Sequence, residues 1–83
     1  MPNDALRRRI TSLVSAIVLA VGDGAGRSSG ETYALLLNAC NLELYNDVIG
    51  LCVASDILTD RGHWLTLTTK GKALLADVRK LAA

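Results

Sequence analysis

His63 is the only histidine in this 83-residue chain, and Cys40 and Cys52 are its only cysteines. A thiol nucleophile with an imidazole base is therefore the first chemistry to weigh. It requires the two groups within hydrogen-bond reach, with a third group orienting the base inside a pocket. His63 falls in the turn Asp60-Arg61-Gly62-His63, whereas both cysteines fall in or beside helices rich in apolar residues. A structural turn histidine and two reduced, buried thiols are expected, with no catalytic residues. The cysteine spacing matches neither a CxxC metal site nor a disulfide framework, so no metal is expected. Gly22-Asp-Gly-Ala-Gly-Arg-Ser-Ser29 follows an apolar run and superficially matches a phosphate-binding loop. It is one residue short between its outer glycines, and Arg27 stands where that loop needs lysine. The chain also lacks room for a nucleotide-binding sheet, and no cofactor is expected.

Binding chemistry is better represented. The net charge of +1 conceals a segregation. Residues 1–30 hold four arginines against two aspartates, and residues 61–83 hold five cations against Asp77 alone. Between them, residues 31–60 hold Glu31, Glu43, Asp47, Asp56 and Asp60 and no lysine or arginine. A basic footprint for a polyanion must therefore come from the two ends. Arg27, with the N–H groups of Ser29 and Gly30 at a helix start, is a candidate phosphate contact. Lys70 and Lys72 are further candidates. Trp64 sits on a strand opposite Leu65, so it either faces solvent as a partner contact or folds over the hairpin base against the first helix.

These residues must be positioned by short elements. Asn3 or Asp4 can cap a first helix ending at Val21, with Leu6, Ile10, Leu13, Val14, Ile17 and Val21 on one face and Leu19 nearly opposite. Gly22 to Gly26 ends it, and the Gly-rich stretch to Gly30 reads as a mobile connection. Ser28-Ser-Gly-Glu31 has the form of a capping box, predicting a second helix over 29–38 that buries Tyr33, Leu36 and Leu37. Asn41 can cap a third helix to Ser55, with Leu44, Tyr45, Val48, Leu51 and Cys52 inward and Glu43, Asn46, Asp47, Gly50 and Ala54 outward. Leu65 and Leu67 alternate with Thr66 and Thr68 in a half-buried strand after a turn, and Thr68 can cap a last helix.

Residues Ser28 to Ala76 resemble a bacterial winged helix-turn-helix domain of the kind found in MarR-type and PadR-type transcription regulators. The most specific part is Leu65-Thr-Leu-Thr-Thr-Lys-Gly-Lys-Ala-Leu74, similar to a wing strand ending in Leu-Thr before a Lys-Gly pair that opens a helix. The resemblance implies a recognition helix over 42–55, with Asn46 as an adenine reader and Arg61, beside His63, at a wing tip able to enter a minor groove. Glu43 and Asp47 depart from that pattern, because they turn carboxylates outward on a helix without a basic neighbour. They are candidate contacts for a protein partner instead.

The expected fold is mainly α with a small β-hairpin, α+β, as one winged-helix domain over 1–83: an N-terminal helix (1–21), a helix-turn-helix (28–55), a wing (56–68) and a C-terminal helix (69–83). The expected function is a bacterial or phage DNA-binding regulator acting on double-stranded DNA. Its contacts would be Arg27, Ser29, Asn46, Arg61, His63, Lys70 and Lys72. The alternative is a protein-interaction module, an adaptor or inhibitor, using Glu43, Asp47 and Trp64. A chain this short buries roughly 60% of its unfolded surface, so a homodimer is expected to add burial. Ser12 and Ser15 interrupt the apolar run from Ile10 to Val21, which is too short to span a bilayer, and a cytoplasmic location without membrane association is expected.

Overall fold

The computed structural model describes residues 3–82. Four helices and three short strands follow in the order α1 (Asn3–Val21), β1 (Arg27–Ser28), α2 (Ser29–Leu35), α3 (Leu42–Ala54), β2 (Leu58–Arg61), β3 (Trp64–Leu67) and α4 (Thr69–Ala82). The strands form one antiparallel sheet in the order β1-β3-β2. The architecture is mainly helical with a small sheet, the α+β class expected from the sequence. The extra strand is the departure. Arg27 pairs with Leu65 and Ser28 with Trp64, so the end of the Gly-rich connection is a sheet edge.

The apolar stripes explain the packing. Leu13, Ile17, Val18 and Val21 of α1 meet Tyr45, Val48, Ile49 and Cys52 of α3, with Leu58, Leu65 and Leu67 of the sheet and Leu75 of α4 completing the core. Val18 and Ile49 join it although periodicity left them out. Leu37 and Leu51, expected inside, are 58% and 47% exposed. The cause of the first is that α2 stops at Leu35. Residues 36–39 form a turn, in which Leu36 points inward and its neighbour outward. On α3, the face buried by α1 and the sheet centres on Tyr45, Val48 and Cys52, leaving Leu51 at its margin.

The predicted caps form at three helices. Ser28 Oγ accepts from Glu31 N at 3.2 Å, Asn41 Oδ1 from Leu44 N at 2.8 Å, and Thr68 Oγ1 from Gly71 N at 3.0 Å. Each satisfies a backbone donor that the first helical turn leaves without a partner. The capping box at α2 forms by half, because the Glu31 carboxylate pairs with Arg27 at 3.5 Å. Helix α1 starts at Asn3, so a residue capping it would precede Asn3 and lies outside the described residues.

Helix α3 ends with Ser55 as its C-cap and Asp56 at φ 61°. The left-handed region costs an L-residue about 1–2 kcal/mol, less for aspartate, and glycine almost nothing. Asp56→Gly is therefore expected to raise stability by about 0.5–1 kcal/mol. A urea titration would show a higher midpoint at unchanged slope; an unchanged or lower midpoint would show that the Asp56 side chain contributes more than the strain costs.

Candidate nucleic-acid interface

The hairpin is closed by a two-residue turn. Arg61 pairs with Trp64, and both Gly62 (φ 56°) and His63 (φ 66°) are left-handed, which is the turn whose twist matches a tight hairpin. Asp60 Oδ1 accepts from His63 N at 3.1 Å, holding the non-glycine turn residue in place. The side chains of Arg61 and His63 are exposed at this tip, and Arg61 forms no ion pair among the described residues. The tip is also tied to the body, since Ser29 N donates to His63 O at 2.7 Å.

That bond changes the reading of Ser29. Its N–H is already donated to the hairpin, and its hydroxyl lies 3.0 Å from the Tyr45 hydroxyl. Arg27 is likewise engaged: its Nε donates to Ala20 O at 2.8 Å, at the carbonyl end of α1, and its Nη1 pairs with Glu31. The phosphate cradle expected from Arg27, Ser29 and Gly30 is thus used internally, joining the end of α1 to the start of α2. Helix ends present unsatisfied carbonyls and attract cations, which accounts for where the Arg27 guanidinium sits.

Helix α3 presents Glu43, Asn46, Asp47, Gly50 and Ala54 to solvent, as its periodicity predicted. Leu42 and Val53 flank this face on one side and Leu51 on the other, at 53%, 42% and 47% exposure. Glu43 and Asp47 form no ion pair among the described residues. A cation does reach the far end of the helix. Lys70 Nζ donates to Ser55 O at 2.9 Å, so the ammonium sits at the carbonyl terminus of α3, where the helix dipole favours it. Lys72 is exposed one turn into α4. Arg61, His63, Lys70 and Asn46 therefore lie on elements that meet around α3 and the hairpin, while Arg27 and Ser29 are withdrawn into internal contacts.

Trp64 takes a third course between the two expected. It is 46% exposed, and its Nε1 donates to Ala25 O at 2.9 Å, so the ring lies on the Gly-rich connection. Cys40 and Cys52 are free and buried, and no hydrogen bond joins either to His63 among the described residues. Burial pushes the Cys52 thiol up to about 11, which keeps it protonated and unreactive near neutrality. Burial also raises the Tyr45 hydroxyl above its ordinary value, against the lowering effect of its hydrogen bonds to Ser29 and Thr32. No cluster of metal-ligating side chains occurs among the described residues.

The N-terminal arginines were not among the expected contacts. Arg7 and Arg8 are exposed and form no ion pair among the described residues. Arg9 Nη2 donates to Ala39 O at 3.4 Å, at the edge of an open cleft of about 510 Å³ that Tyr33, Leu37, Cys40 and Asn41 also line. The run Arg7-Arg8-Arg9 was the available signal; its meaning depends on α1 lying beside the α2–α3 turn. No helix among the described residues is long and apolar enough to cross a membrane. Comparison with protein-family models, curated proteins and solved structures finds no match to this chain.

Proposed function

We propose that this chain is a small winged helix-turn-helix DNA-binding regulator of the bacterial or phage type. In this reading α2 and α3 form the helix-turn-helix, β2 and β3 the wing, and Asn46 reads a base edge. Arg61, His63, Lys70 and Lys72 approach phosphates. The observation that supports it is the exposed hairpin tip bearing Arg61, together with the Lys70 ammonium at the end of an outward-facing α3, within a helix-strand-helix-helix-hairpin-helix order. Phosphate contacts give affinity and register while base edges give sequence preference, so the cations and Asn46 have separable roles.

Fluorescence anisotropy with a mixed-sequence duplex tests it. The wild type is expected to bind at low salt. Arg61→Ala with Lys70→Ala should weaken binding and lower the salt slope by about 1 per lost phosphate contact. Glu43→Gln with Asp47→Asn should strengthen non-specific binding by removing repulsion. A wild type that binds no duplex at low salt overturns the proposal.

One observation favours a second reading: Glu43 and Asp47 are exposed and unpaired among the described residues, in a segment without a basic side chain. A protein-interaction module would use this face, with Trp64, against a basic partner. It requires the converse result, with no duplex retained and a partner lost in pull-down when Glu43 and Asp47 are neutralised.

A further inference from the structure

Helix α1 outruns the body it packs against. Its inward stripe continues from Leu13 back through Ile10 to Leu6, yet residues 4–9 are all exposed and Leu6 is 51% exposed. The apolar pattern of an amphipathic helix is thus written one turn beyond the surface that covers it. The projecting turns carry Arg7 and Arg8, without ion pairs among the described residues, and Arg9, whose bond to Ala39 O sets their location. They lie beside the turn that leads into α3. The exposed face of α3 begins there with Leu42 and Glu43 and continues to Asp47 one turn on. A basic helical end with an apolar anchor therefore adjoins an acidic helix face with an apolar flank.

We propose that this end of the molecule is the contact between two copies of the chain. A twofold axis would bring Arg7 and Arg8 of each copy to Glu43 and Asp47 of the other, with Leu6 of each against Leu42. Two observations specify a second copy as the occupant. The charges are complementary, and no lysine or arginine lies within residues 31–60 to neutralise the carboxylates locally. Both patches also share one end, so a twofold arrangement satisfies both at once and closes at two copies, whereas patches on opposite ends would propagate a filament. The contact does not rest on DNA binding. It uses the same α3 face, so pairing and duplex binding are mutually exclusive.

Sedimentation equilibrium of the full chain without DNA tests this. A dimer is expected at low salt, weakening as salt rises, because exposed charges are screened within about 10 Å at 0.1 M. Glu43→Lys with Asp47→Lys, and separately Arg7→Glu with Arg8→Glu, should each raise the dissociation constant by about a hundredfold or more, since facing like charges are strongly disfavoured. All four positions are exposed, and circular dichroism verifies that each variant folds. An equimolar mixture of the two variants should form a heterodimer, because each then presents the charge that the other lacks. Leu6→Gln should weaken the wild-type dimer independently of charge. A wild type that stays monomeric, a dimer that either charge reversal leaves intact, or a mixture that stays monomeric overturns the proposal.

Discussion

Gly26→Ala is expected to cost about 3 kcal/mol and to lower the thermal midpoint by roughly 12–24 °C. Two causes add. Gly26 has φ 96°, a conformation that costs an L-residue about 1–2 kcal/mol. A methyl group there would also collide with the Leu65 carbonyl oxygen, lie 2.7 Å from the Thr66 methyl carbon and 2.9 Å from the Trp64 indole nitrogen. Overpacking of that kind typically costs about 1–3 kcal/mol, and here one obstacle is sheet backbone, which cannot move without breaking strand pairing. A small domain has on the order of 5–10 kcal/mol in total, and each kcal/mol shifts its midpoint by about 4–8 °C. Trp64 is the chain's only tryptophan, so its emission reports the same event, shifting to the red if the ring leaves the Gly-rich connection. Gly50→Ala is the control. Nothing lies within 4 Å of the position its methyl would take, on the open face of α3, and it should stabilise by about 0.5–1 kcal/mol. Equal effects at the two sites would show that close approach at Gly26 does not hold the connection to the sheet.

Alkaline solution is expected to destabilise the fold by about 2–3 kcal/mol between pH 9 and 11. The Cys52 thiol titrates near 9.0 when exposed and near 11 in the folded chain, because burial penalises the thiolate. Below pH 9 the thiol is protonated in both states, and the folded state keeps its full advantage. As pH rises through that value the unfolded chain releases its proton while the folded chain retains it, so stability falls until the folded thiol titrates. Tyr45, raised in the same direction by burial, adds to the loss at the alkaline end. Urea titrations across this range should show the decline, and Cys52→Val should flatten its lower part. A wild-type profile as flat as the variant's would mean that the thiolate is solvated without unfolding.

The short-range features were legible from residue types. Ser28, Asn41 and Thr68 cap because a hydroxyl or amide oxygen one turn before free backbone donors satisfies them wherever the helix lies in space. The outward face of α3 was likewise legible, since one apolar side at helical spacing leaves Glu43, Asn46, Asp47, Gly50 and Ala54 to solvent. The hairpin followed from alternation around a turn containing glycine. These relations connect residues within a few positions of one another, so local chemistry suffices to determine them.

What required the tertiary structure connects residues distant in sequence. Arg27 carries the same charge in any context; it became a structural contact because the end of α1 brings the Ala20 carbonyl to it and Glu31 lies one turn away. Ser29 lost its free N–H because β1 pairs with β3, a partner too far along the chain for any local signal. Two bare residues of strand have no periodicity to read, so the third strand was invisible as well. Lys70 sits at the end of α3 because the Thr68 cap, bonded back to Ile57 O at 3.2 Å, folds α4 against that point. The coverage of each apolar stripe was decided in the same way. Leu6 and Leu13 are equivalent by spacing, and only the length of the body beneath α1 buries one and exposes the other.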